Sequence, residues 1–302
     1  MTARTAGLPV RDVACRPLEA WTPDGVRVSV QDWQLGPAGA RRQRDLLLIH
    51  GLSQSHRCWF KQLAGPLRER FRIVTYDLRG HGGSARPPER AFYQDGARWG
   101  QEVRAVIETS ALQRPVIVAW SYGGRIALDY LRECGSREVS GLVMVAGTAS
   151  DHPSLFGDQL PLLQRMAAAQ PGPEDAAASS EFLRRCLVRP LTDAEHGLML
   201  RENLKTPPWV RAAMAGRAGA YEPVLRSLRI PVLAIHGAQD RINLPQMARY
   251  TATVCPNGRE LIYEGVGHAP FWEVPERFDK DVADWLDSLP DEGAVPAGGG
   301  AG

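Results

Sequence analysis

The chain has 302 residues, 44% hydrophobic and 23% charged, a balance that fits a globular protein with a real core and excludes a coiled coil, a collagenous repeat and wholesale disorder. Its 36 Lys and Arg face 34 Asp and Glu, a formal net charge of +2, and no long basic block gathers them, so no nucleic-acid partner is expected. The length allows one large domain or two small ones. Five cysteines, Cys15, Cys58, Cys134, Cys186 and Cys255, form no C-x-x-C pair and read as free thiols of a reducing compartment. Residues 1–11 lack the apolar stretch of a signal peptide, and no apolar run approaches the roughly 18 residues of a membrane span. The expectation is a cytoplasmic protein with no membrane partner.

In chain order, residues 1–8 are expected to be disordered. Residues 14–21 and 26–33 read as two antiparallel strands around the turn Thr22-Pro23-Asp24-Gly25, near a sheet edge. Residues 45–49, 72–76, 115–120, 141–146 and 230–235 are short aliphatic runs of the kind buried on both faces, and 261–263 adds one more. Helical patterns fill 59–70, 94–112, 123–134, 245–254 and 275–289, each long enough for a crossover between parallel strands. The fold class is therefore α/β, with about eight mostly parallel strands and helices on both faces. Residues 150–227 break the strand rhythm and repeat at helical spacing amid Pro171, Pro173, Pro190, Pro207 and Pro208, which reads as a helical insertion lying over the sheet as a lid. The core is then 14–149 with 228–290, and the Gly-rich tail 291–302 is expected to be disordered.

The strongest local signal is Ala119-Trp120-Ser121-Tyr122-Gly123-Gly124, where a buried strand meets a serine and small residues open a helix. A corner this tight strains the serine backbone, and only small residues two before and two after it let strand and helix approach. The hydroxyl is thereby raised above the sheet beside the free N–H groups of a helix start. On these residues the chain resembles the α/β-hydrolase fold family over roughly 18–289, with Ala119 replacing the first glycine of the usual G-x-S-x-G elbow. The resemblance implies an α/β-hydrolase fold with a helical cap and serine hydrolase activity of the carboxylesterase kind, without a cofactor or metal.

Asp240 follows the run 230–235, and His268 follows 261–263, so serine, acid and histidine occur in the order this family uses. Loops after the carboxyl ends of parallel strands gather at one sheet edge, where the three can meet. Ser121 is a poor nucleophile at neutral pH and needs a base; His268 is placed to take and return its proton, and Asp240 to fix the imidazole tautomer. Asp151, after the run 141–146, is the second carboxylate weighed as the acid. His50-Gly51-Leu52-Ser53 resembles the family's H-G-x segment, which implies an oxyanion hole from the Leu52 and Tyr122 N–H groups, with His50 bracing the loop. Asp77-Leu78-Arg79-Gly80-His81-Gly82-Gly83-Ser84 resembles the D-x-R-G-x-G-x-S signature and reads as structural. Trp59, Trp120, Tyr122 and Phe271, with Leu155 and Phe156, are candidates for lining an acyl or alcohol pocket.

These residues together point to a serine hydrolase that cleaves a small carboxylic ester, lactone or thioester through an acyl-enzyme. Carbon–carbon hydrolases, peptidases and perhydrolases share this triad. The same scaffold also admits a non-catalytic binding protein, and a lyase or cofactorless oxygenase. Substrate preference and oligomeric state are not encoded in these motifs.

Overall fold

Eight strands form one sheet in the computed structural model, which describes residues 15–33 and 44–290. The tails expected at 1–8 and 291–302, and Ala14 of the first expected strand, lie outside the described residues. The strands are β1 (Arg16–Trp21), β2 (Arg27–Trp33), β3 (Asp45–Ile49), β4 (Arg72–Tyr76), β5 (Val116–Trp120), β6 (Gly141–Val145), β7 (Val232–Gly237) and β8 (Gly258–Tyr263). Their order is β1-β2-β4-β3-β5-β6-β7-β8. β1 pairs antiparallel with β2, and β2 with β4; the other neighbours are parallel.

The central strands are aliphatic because both faces are covered. Alternate residues feed two cores. Leu46 and Leu48 join Trp59, Phe271 and Trp285 on one face, while Leu47 and Ile49 join Trp99, Val103 and Ile126 on the other, as the two-residue repeat of a strand dictates. β8 begins three residues before the apolar run at 261–263. Its edge position leaves Arg259 and Glu260 exposed, so hydrophobicity alone hides its start. β7 begins after Pro231, which has no N–H for a ladder bond, and runs on to Gly237 opposite Tyr263.

The helix expected at 59–70 is instead a 3₁₀ turn, His56–Trp59, followed by short helices Phe60–Leu63 and Pro66–Arg70. Gly65 is extended ahead of Pro66, because a residue before proline is pushed out of helical geometry. The helix expected at 94–112 is Ala91–Gln94 and Gly96–Thr109, separated by Asp95, whose side chain accepts the Ala97 N–H as an N-cap. Helices Tyr122–Cys134, Gln246–Val254 and Pro275–Asp287 complete the two layers.

β6 and β7 are neighbours, yet residues between them form helices Leu160–Ala168, Pro173–Cys186, Asp193–Leu204, Pro208–Met214 and Glu222–Ser227. Thr192 and Glu195 close a reciprocal capping box at the start of the third of these. Among the described residues no helix is long and apolar enough to cross a membrane, and Cys15, Cys58, Cys134, Cys186 and Cys255 are all free thiols.

Candidate active site

Ser121 stands between β5 and helix Tyr122–Cys134 with φ 53° and ψ −119°, a backbone region that costs a non-glycine residue about 1–3 kcal/mol. Three backbone bonds hold it there. Its N–H donates to Val145 O at 3.0 Å, and its carbonyl accepts from Gly124 N at 2.9 Å and Thr148 N at 3.0 Å. Gly123 is required by contact: a Cβ would come within 2.7 Å of the Ile49 and His50 carbonyl oxygens. Ala119, at the other small position, is fully buried and keeps its methyl in the core.

Asp240 and His268 follow β7 and β8 at the same edge of the sheet. His268 Nε2 is 2.9 Å from Ser121 Oγ, and His268 Nδ1 is 2.7 Å from Asp240 Oδ2. The histidine backbone is fixed at both ends, its N–H donating to Cys186 O at 2.8 Å and its carbonyl accepting from Trp120 Nε1 at 2.9 Å. Asp240 Oδ1 accepts the Ile242 N–H at 2.8 Å. Burial pushes the Asp240 carboxyl up, but pairing with His268 and His236 outweighs it and holds the group at about 2, so it stays an anion at neutral pH.

His236, on β7 four residues before Asp240, is a site residue that the motifs do not announce. Its Nε2 lies 2.9 Å from Asp240 Oδ2 and 2.8 Å from Asn243 O. A carbonyl can only accept, so Nε2 carries a proton and shares it with the carboxylate. A histidine at that offset from the acid is the available signal in the sequence, but only the curled loop after β7 brings it back. Asp151 is elsewhere. It pairs with Arg125 at 2.5 Å and accepts the Gly219 N–H, away from the imidazole.

Two further histidines brace the loop after β3. His50 Nε2 accepts the Leu78 N–H at 3.0 Å, so its Nδ1 donates to Gly51 O at 2.7 Å. His81 Nε2 accepts the Ser53 N–H at 3.1 Å, and its Nδ1 donates to Arg79 O at 3.0 Å. Burial keeps both neutral, lowering His50 to about 4 and His81 to about 3. Asp77 accepts the His56 and Gly83 N–H groups, and Arg79 pairs with buried Glu102 at 2.6 Å. Among the described residues neither the Leu52 nor the Tyr122 N–H donates to another backbone carbonyl.

A cavity of about 260 Å³ opens on Ser121 and His268. Trp120, Tyr122, Leu52 and Phe156 line it, as does a set of apolar side chains from the segment after β6, among them Leu160, Leu163, Phe182 and Leu187. Phe271 and Leu155 do not. Phe271 is fully buried between Trp59 and Trp120, with ring centroids 4.3 and 5.0 Å away. The Leu155 carbonyl instead accepts the Leu244 N–H. Trp59, likewise fully buried, is core.

Residues 46–275 match the family model described as alpha/beta hydrolase fold. The chain belongs to the α/β-hydrolase fold family. Among solved structures, this hydrolase is 30% identical to the esterase RhEst1 from Rhodococcus sp. ECU1013, with a TM-score of 0.83 over 91% of this chain and 99% of that one. It is 28% identical to the uncharacterized protein Rv2715 of Mycobacterium tuberculosis over 95% of this chain and 86% of that protein. It is also 28% identical to the pimeloyl-[acyl-carrier protein] methyl ester esterase of Nitrosomonas europaea over 78% of this chain and 92% of that protein. The hydrolase is esterase-like on these grounds.

Proposed function

We propose that the protein is a serine hydrolase acting on small carboxylic esters, with Ser121 as nucleophile, His268 as general base and acid, and Asp240 as its orienting carboxylate. The observation that carries this reading is the line of contacts from Ser121 Oγ to His268 Nε2 at 2.9 Å and from His268 Nδ1 to Asp240 Oδ2 at 2.7 Å. With the Nδ1 proton held by an anion, Nε2 presents a lone pair to the serine hydroxyl. It takes that proton as Oγ attacks the ester carbonyl carbon.

The tetrahedral oxygen is received by the Leu52 and Tyr122 N–H groups, the latter at the first turn of a helix, where the dipole favours negative charge. Collapse expels the alcohol, which leaves with the proton from Nε2. Water then adds to the acyl-enzyme by the same route in reverse, and the acid departs with Ser121 restored. The helical segment 150–227 acts as a cap whose apolar side chains receive a hydrocarbon or aryl part of the substrate.

A fluorophosphonate probe should modify Ser121, and Ser121→Ala should abolish both labelling and p-nitrophenyl ester turnover. Hydrolysis that survives unchanged in that variant overturns the nucleophile assignment. Lactones, thioesters and aminoacyl arylamides assayed beside simple esters separate the esterase from a peptidase with the same triad.

A further inference from the structure

Glu273 ends the short helix Pro270–Glu273, and its carboxylate is buried. One oxygen, Oε1, accepts the N–H of Gly267, the residue before the catalytic histidine, at 2.9 Å. The other, Oε2, accepts the N–H groups of Val188 and Arg189 at 2.8 and 3.0 Å. Those two residues belong to the strap that joins helix Pro173–Cys186 to helix Asp193–Leu204. The strap answers in kind, because Cys186 O accepts the His268 N–H at 2.8 Å. Gly267 makes the approach possible: a Cβ there would lie 2.6 Å from Cys186 O and 3.1 Å from Glu273 Oε1.

Cys186 and Leu187 also line the cavity. One piece of backbone therefore serves as a wall for the substrate and as a mount for the imidazole. A carboxylate can accept on both oxygens at once. A carboxamide of the same size cannot, since its NH₂ would face N–H donors at one end.

We propose that Glu273 is a positioning residue that fastens the strap 186–189 to the His268 loop, so that the cavity wall and the catalytic base move as one body. This rests on the reading of Ser121 and His268 given above. Substrates that fill the cavity against Leu187 then steady the base, and acyl length registers in kcat as well as in KM. A displacement of about 1 Å at a reacting group is enough to cost roughly 100-fold.

The test compares wild type, Glu273→Gln and Gly267→Ala. Active sites are first counted with a fluorophosphonate, and kcat and KM are then measured over p-nitrophenyl esters from acetate to decanoate. Per titrated site, kcat should fall about 10- to 100-fold in both variants, with a smaller change in KM, and the rate of fluorophosphonate labelling should fall in step. If kcat per titrated site stays within about twofold of wild type while the melting temperature drops, Glu273 only supports the fold and the proposal is overturned. Should Glu273→Gln fail to fold, Gly267→Ala carries the same two outcomes, because it keeps the carboxylate while its Cβ crowds the Cys186 carbonyl, Glu273 Oε1 and the Val188 N–H. A wild-type protein that takes no label overturns instead the nucleophile reading beneath both.

Discussion

Asp279 offers a stability test that does not depend on the reaction. It lies on helix Pro275–Asp287, is 2% exposed, and accepts a hydrogen bond from Gln62 Nε2 at 3.1 Å. Burial pushes its carboxyl up from 3.8 to about 7, against the pull of the Gln62 bond. The group is raised relative to the unfolded chain, so its charge opposes folding: the penalty is full above pH 7 and fades as the pH falls toward 4. The distance from about 4 to about 7 on the pH scale corresponds to about 4 kcal/mol at pH 8, shrinking to about 1.5 kcal/mol at pH 5. Asp279→Asn keeps an acceptor for Gln62 and removes the charge. Local relaxation reduces such values, and half the full figure, at about 2–4 °C per kcal/mol, predicts a rise in melting temperature of about 4–8 °C at pH 8. The gain at pH 5 should be about a third of that. Thermal melts of both proteins across that range suffice, and a gap independent of pH would show that the carboxyl titrates at its ordinary value.

Two other predictions concern the site and its braces. In Asp240→Asn one side-chain oxygen must replace two that now accept from Ile242, His268 and His236; the imidazole loses its tautomer control, and kcat should fall about 10⁴-fold with little change in KM, as steady-state kinetics would read. His81 is lowered to about 3 by burial, so the unfolded chain binds its proton first and stability falls as pH drops below about 6.5, by about 2 kcal/mol at pH 5. His81→Gln retains an acceptor for the Ser53 N–H without a titrating group, and should flatten the loss of melting temperature between pH 6.5 and 5; an unaltered slope would place the acid loss elsewhere.

The sheet is legible in the sequence because parallel strands covered on both sides must be apolar throughout, and 45–49 and 72–76 coincide with β3 and β4. The elbow is legible for a local reason, since a strand, a serine and small residues in succession admit few backbones. β8 looks too short in the sequence because half its side chains face solvent, and the helix at 59–70 looks too long because its apolar spacing continues through the Gly65-Pro66 break. Aromatic content does not locate the pocket. Phe271 has the composition of a lining residue but is fully buried beneath Trp120, a matter of which face of a short helix turns inward. His236 leaves one trace, its place four residues before Asp240, whereas Glu273 reaches Val188 and Arg189, 85 and 84 residues away, a pairing that spacing along the chain does not record.

The helices between β6 and β7 leave the carboxyl end of one strand and return to the amino end of its parallel neighbour, so their two ends lie at opposite ends of the strands and the segment must carry the chain back along the sheet. The part of this block above the site can still be exchanged, because the serine, acid and histidine all come from outside it, provided that the return crossover to β7 stays with the framework. The exchange is not free at one place. A donor block must arrive with a carbonyl where Cys186 offers its own, or the recipient's imidazole loses the anchor on its backbone N–H. Recombining such blocks between relatives should therefore alter substrate choice readily, and succeed most often when the crossover leaves residues 186–189 with the recipient.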